Sequence, residues 1–198
     1  VDLKEPANAG KSRDSRFLKK ILTDAEIEFV QHAENSGTAL WSLWVCKETA
    51  YKVIKKSSPD ASFLPRLWLV TFNESQIKYS DGEVIIPETG SVFIRVFSTS
   101  EYVHCIGADK RTALDKIIFK VQALPDEETN PSFFSRCCLA KNIAKHFSLE
   151  SRAIKIKRTK NSGELQPPLL YAGGKKTDID ISLSHDGRFV AYAYCHGL

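Results

Sequence analysis

The run W-V-C-K-E-T-A-Y-K at 44–52 puts a carboxylate, Glu48, between two cationic side chains, Lys47 and Lys52. The surrounding periodicity predicts a helix over 38–56. At about 3.6 residues per turn, Trp44, Glu48 and Lys52 stand one above another, and Val45 and Tyr51 flank Glu48. A carboxylate among such large apolar groups loses hydration and must find a cation, a donor or a proton. Glu48 is therefore a candidate metal ligand or general base. The same residues also admit a plain Glu48–Lys52 helix pair worth about 0.2–0.5 kcal/mol. Two further places carry candidate chemistry. His185, in S-L-S-H-D-G, is expected at a hairpin tip that faces solvent or a cleft. Asp2 and Glu5 could join Glu48 around Mg²⁺, which is commonly held by one or two carboxylates plus phosphate oxygens.

These residues must be positioned by helices at both ends of the chain and strands between them. A basic amphipathic helix is expected around 14–22. Thr23 and Glu26 form a capping-box pattern for the next helix, with Ile27, Val30 and the edge residue His32 on its inner stripe. From 67 to 106 the period changes to that of strands, with turn signals at Asp81 and Gly82 and again at 88–90, which predicts an antiparallel meander. The I-K-Y run at 77–79 is expected as one of its strands. The run 113–123 reads as either strand or helix, and 125–131 as a linker. Ser132 is expected to cap a helix to about His146, with Phe133, Phe134, Cys137, Ala140, Ile143, Ala144 and Phe147 inward. A-I-K-I-K should alternate as a strand, and two final strands should meet at His185, Asp186 and Gly187.

At 198 residues the chain can bury a substantial core without disulfides. Its net charge of +4 favours anionic partners but is too mild to imply nucleic acid. Five cysteines, Cys46, Cys105, Cys137, Cys138 and Cys195, show no metal or C-x-x-C spacing, so a reduced, cytoplasmic setting is expected. No run of 18 apolar residues and no signal peptide is present, so no membrane association is expected.

Taken together, these pieces resemble the 4′-phosphopantetheinyl transferase superfamily, whose signatures are Phe/Trp-x-x-Lys-Glu-x-x-x-Lys on a helix and a Ser-x-Ser-His-x-Gly hairpin. R-F-L-K-K-I-L-T-D-A-E at 16–26 is similar to the stretch that follows that family's first motif. The resemblance covers roughly 1–56 and 132–195. It implies an α+β fold of two similar α/β halves with antiparallel sheets packed against helices, the pseudo-dimeric transferase arrangement. The Lys-Glu half comes first, over 1–124 with a β-meander insertion, and the Ser-His half second, over 132–198.

The resemblance further implies transfer of the phosphopantetheine arm of coenzyme A to a serine of an apo carrier protein, releasing adenosine 3′,5′-bisphosphate. Glu48 would be metal ligand and candidate base, and Lys52 would reach the pyrophosphate. Ser184 and His185 would hold the 3′-phosphate end of coenzyme A, and Lys47 would lie near the site as a further coenzyme-binding residue. Val1, Asp2 and Leu3 match the family's opening in two registers. In one, Asp2 is the second Mg²⁺ ligand; in the other, the metal aspartate lies three residues upstream. Arg13, Arg16, Lys19 and Lys20 would face an acidic carrier protein. Two other readings are a relative that binds nucleotide or carrier without catalysis, and a basic nucleic-acid module on Lys155, Lys157, Arg158 and Lys160.

Overall fold

The computed structural model describes residues 1–75, 78–161 and 163–196. The fold is mixed α+β with antiparallel sheets, and the chain divides into two compact units, Val1–Asp115 and Lys116–Leu198.

In the first unit, Asp14 opens α1 (Ser15–Ile21) by accepting from the backbone N–H groups of Arg16 and Phe17, both at 3.1 Å. Thr23 opens α2 (Asp24–His32) through the expected capping box. The Glu26 N–H donates to Thr23 Oγ1 at 3.2 Å, and the Thr23 N–H donates to Glu26 Oε2 at 2.8 Å. His32 is exposed rather than inward. Asn35 then opens α3 (Ser36–Ser57), whose buried Leu40, Leu43, Cys46, Ala50 and Ile54 recur every three or four residues.

That helix packs into one core with a meander in the order β1 (Leu69–Ser75), β2 (Ser80–Ile86), β3 (Gly90–Ser98) and β4 (Val103–Ala108). Gly107 lets β4 approach α3, since a Cβ there would stand 2.7 Å from the Thr49 methyl group. The Thr49 hydroxyl donates to the Cys105 carbonyl at 3.3 Å. The first residues run beside β4: Asp2 bridges Tyr102, the Val103 N–H donates to the Val1 carbonyl at 2.9 Å, and the Leu3 N–H donates to Glu101 at 2.7 Å.

The expected turn at Asp81 and Gly82 is not one. Both lie inside β2, Gly82 opposite Phe72, where β1 carries an irregularity between Phe72 and Glu74. A Cβ on Gly82 would run into the Thr71 carbonyl, so glycine serves close strand approach here. Asp81 instead accepts two bonds from Arg95, at 2.7 and 2.9 Å. The expected strand at 77–79 is not part of the sheet at Lys78 and Tyr79, and Ile77 lies outside the described residues. The turn at 88–90 is present, with Glu88 at φ 62° and Gly90 at φ 109°.

The second unit holds β5 (Ile118–Ala123), α4 (Pro131–His146), β6 (Ile154–Lys157), β7 (Lys160–Asn161), β8 (Glu164–Leu165), β9 (Leu169–Ala172), β10 (Lys175–Lys176), β11 (Ile179–Asp186) and β12 (Phe189–His196). Two three-stranded sheets, β11-β12-β5 and β10-β9-β6, and the pair β7-β8 are all antiparallel. The run 113–123 is therefore neither one helix nor one strand. A 3₁₀ turn, Arg111–Lys116, is followed by β5, which pairs with β12. That pairing ties 118–123 to the second unit, and 124–130 becomes the connection from β5 to α4.

Asn130, not Ser132, caps α4: its Oδ1 accepts from the Phe133 N–H at 3.0 Å, with Pro131 at the first helical position. The buried face is Ser135, Leu139, Ile143 and Ala144, the last three packed with Ile181, Tyr192 and Tyr194, while Phe133 is 62% exposed. No helix among the described residues is long and apolar enough to cross a membrane.

Candidate active site

The three charged residues of the α3 motif have different surroundings. Lys47 has no exposed surface. Its ammonium donates to Glu26 Oε2 at 2.5 Å, to the Ile21 carbonyl at 3.0 Å and to the Pro65 carbonyl at 2.8 Å. All three ammonium protons are thereby used. Glu26 Oε1 accepts from the Val70 N–H at 3.1 Å. Burial pushes the Lys47 pKa below the usual lysine range, opposed by the bond and charge of Glu26. The expected contact of Lys47 with a cofactor is thus replaced by a structural role. The lysine joins the end of α1, the start of α2 and the segment leading into β1 to the helix that carries Glu48.

Glu48 and Lys52 face the other way. Their side chains are 39% and 35% exposed, and Lys52 Nζ lies 3.0 Å from Glu48 Oε1. Glu48 is less buried than its large apolar neighbours suggest. Trp44 packs against Phe17 and Phe63, and Tyr51 against Phe63 and Trp68, with ring centroids 5.1–6.5 Å apart. Glu48 and Lys52 remain partly exposed, whereas Lys47 is sealed in the core. The Glu48–Lys52 helix pair forms, and Glu48 Oε2 lies outside it.

Asp2 is fully buried in the segment beside β4, and its Oδ1 accepts from the Lys4 N–H at 2.9 Å. Its carboxylate organises the local turn, and the Asn8 amide donates to its backbone carbonyl at 2.9 Å. On β4 itself, His104 has its pKa pushed down to about 3. The first cause is burial, followed by the positive charges of the Val1 amino group and Lys52. The sequence reading missed His104, since a histidine within an alternating strand carries no signal of which charges will lie near it. Among the described residues, no group of three or more His, Cys, Asp or Glu side chains is arranged to hold a metal.

Ser184 and His185 belong to the second unit. His185 is exposed and lies within β11, paired with Val190. The tight turn is made instead by Gly187, at φ 50°, and Arg188, between the paired Asp186 and Phe189. Successive strand residues point to opposite faces. His185 shares its face with Val190 and Gln122, while Ser184 shares the other with Ala191 and Val121. A ligand touching both side chains must therefore sit around the end of the strand rather than on one face.

Comparison with curated proteins and with solved structures found no match. The family model described as the 4′-phosphopantetheinyl transferase superfamily matches residues 1–106, more than half of the 198-residue chain. The matched segment contains α1 to α3, with Glu48 and Lys52, and most of the meander. The chain belongs to the 4′-phosphopantetheinyl transferase superfamily.

Proposed function

We propose that this protein transfers the 4′-phosphopantetheine arm of coenzyme A to a serine hydroxyl of an apo carrier protein. The observation that carries the reading is the accessible Glu48–Lys52 pair on a helix inside the family match. The serine oxygen would attack the β-phosphorus of the coenzyme's pyrophosphate. The bond from that phosphorus to the bridging oxygen would break, and adenosine 3′,5′-bisphosphate would leave. Glu48 is suited to take the serine proton, because Lys52 occupies Oε1 and leaves Oε2 available. Lys52 is suited to donate to the pyrophosphate as a compact positive charge.

Mg²⁺ is part of this proposal. Glu48 fits as one ligand through its accessible oxygen, and Asp2 is the second acidic group; when bound, the cation neutralises charge on the pyrophosphate. Ser184 and His185 would address the 3′-phosphate of coenzyme A from the end of β11. Exposed Arg13, Arg16, Lys19 and Lys20, around and on α1, would steer an acidic carrier protein. Five free thiols fit a reducing cytoplasmic setting.

The test is intact-mass spectrometry of candidate apo carriers incubated with the protein, coenzyme A and Mg²⁺. A carrier that gains the mass of one phosphopantetheine supports the reading. Coenzyme A or carrier binding with no mass gain across fatty-acid, polyketide and peptide-synthetase carriers would identify a binding protein instead.

A further inference from the structure

A second feature of the C-terminal unit lies apart from the residues assigned above. A cleft of about 230 Å³ opens between α4 and the edge strand β5, lined by Lys120, Gln122, Cys138, Lys141, Asn142, Lys145 and Tyr192. No carboxylate lines it. Lys120, Lys141 and Lys145 are exposed, and none of them has an ion-pair or hydrogen-bond partner among the described residues. The neutral groups in the lining also favour an anion. Tyr194 donates to Asn142 Oδ1 at 2.8 Å, which leaves the amide NH₂ of Asn142 as its free donor. Gln122 and Tyr192 complete the lining with neutral polar side chains. Burial raises the Cys138 pKa, opposed by the charges of Lys141 and Lys120, so the thiol adds no negative charge at neutral pH.

We propose that this cleft binds a multiply charged phosphate group. Three lysines lining one cleft with no carboxylate in the lining match a group of two or three negative charges, which lysines approach as point charges. The volume corresponds to roughly eight waters at about 30 Å³ each, below the roughly 300 Å³ at which drug-sized pockets begin. A phosphate or diphosphate fits within that volume. Two sources share this chemistry. One is free diphosphate. The other is the phosphate end of a larger molecule whose remainder lies outside the cleft. The second has a geometric basis, because Gln122, Val190 and His185 share one row and one face of the sheet. Two strand spacings put that row at about 10 Å. The site does not depend on the transferase reading, since it is defined by binding and not by turnover.

The experiment uses the full chain, with sodium diphosphate and coenzyme A as separate probes at low ionic strength. Binding is followed by calorimetry and by the rate of Cys138 alkylation, mapped by mass spectrometry to separate it from Cys137. Diphosphate should bind and slow alkylation of Cys138. Lys141→Gln with Lys145→Gln should weaken binding about tenfold or more. Lys175→Gln with Lys176→Gln, which removes the same charge from β10, should leave binding unchanged. Protection of Cys138 by coenzyme A but not by diphosphate would still support the site and assign the phosphate to a larger molecule. Equal weakening by both pairs of substitutions, or no protection by either probe, would overturn it.

Discussion

Lys47 Nζ and Glu26 Oε2 lie 2.5 Å apart, with side chains 0% and 5% exposed, one residue before the half-exposed Glu48. The buried pair fixes the rotation of α3, because turning the helix to expose Lys47 would strip three hydrogen bonds from a buried ammonium. Burying a charge without its partner is costly, so each partner depends on the other. Lys47→Met and Glu26→Gln should each destabilise the protein by about 3–5 kcal/mol, and Lys47→Met combined with Glu26→Leu should recover much of that loss. Urea unfolding monitored by circular dichroism measures all three. Single variants within about 1 kcal/mol of wild type would show that the pair is not what orients the helix.

Glu48→Gln should behave in the opposite way. Its side chain is 39% exposed and its ion pair with Lys52 is a helix surface pair, so the fold should lose no more than about 0.5 kcal/mol. Transfer of phosphopantetheine should fall by at least about a hundredfold, because the amide keeps the volume but neither binds a cation nor takes a proton. Near-normal turnover with Mg²⁺ would make Glu48 merely a helix-pair residue.

The charges on α1 should act on encounter rather than on chemistry. Arg16 and Lys20 are exposed, and charges at a surface are screened beyond about 8 Å at 0.15 M salt. Arg16→Ala with Lys20→Ala should slow carrier capture at low salt and lose that effect at high salt, whereas Lys52→Ala should lower turnover at both. Identical salt profiles for the two variants would remove the distinction.

His185→Ala should raise the KM for coenzyme A by about tenfold or more, through loss of a charge-assisted bond to the 3′-phosphate. Dephospho-coenzyme A, which lacks that phosphate, should be handled alike by mutant and wild type. Equal losses with both substrates would place His185 in the chemical step or in holding the β11–β12 hairpin.

His104 makes stability depend on pH. Its pKa is about 3 in the fold against about 6.5 when unfolded, so the unfolded chain binds the proton first. The contribution is fully present above about pH 6.5 and is lost as pH falls toward 3, with a slope of at most roughly 1.4 kcal/mol per unit. Unfolding free energies at pH 7 and pH 5 should therefore differ less for His104→Gln than for wild type. An equal drop in both would show that other groups carry the acid sensitivity.

The sequence by itself determined the elements whose signals are local. The Thr23–Glu26 capping box, the α3 helix with Glu48 and Lys52 one turn apart, and the alternation of Ile154 with Lys155 and Lys157 follow from backbone geometry over a few residues, and each is present. Tertiary structure decided what long-range contact controls. Lys47 and Glu48 are neighbours in a motif, yet one is sealed in the core and the other is open, because Glu26 and the Pro65 carbonyl lie on one side of the helix only. Asp81 and Gly82 carry a turn signal but sit in a strand, since the irregularity in β1 needs a residue without a Cβ opposite it. The residues at 118–123 became a strand because β12 supplied the hydrogen-bonding edge, and a short apolar run contains no information about a partner that distant in the chain.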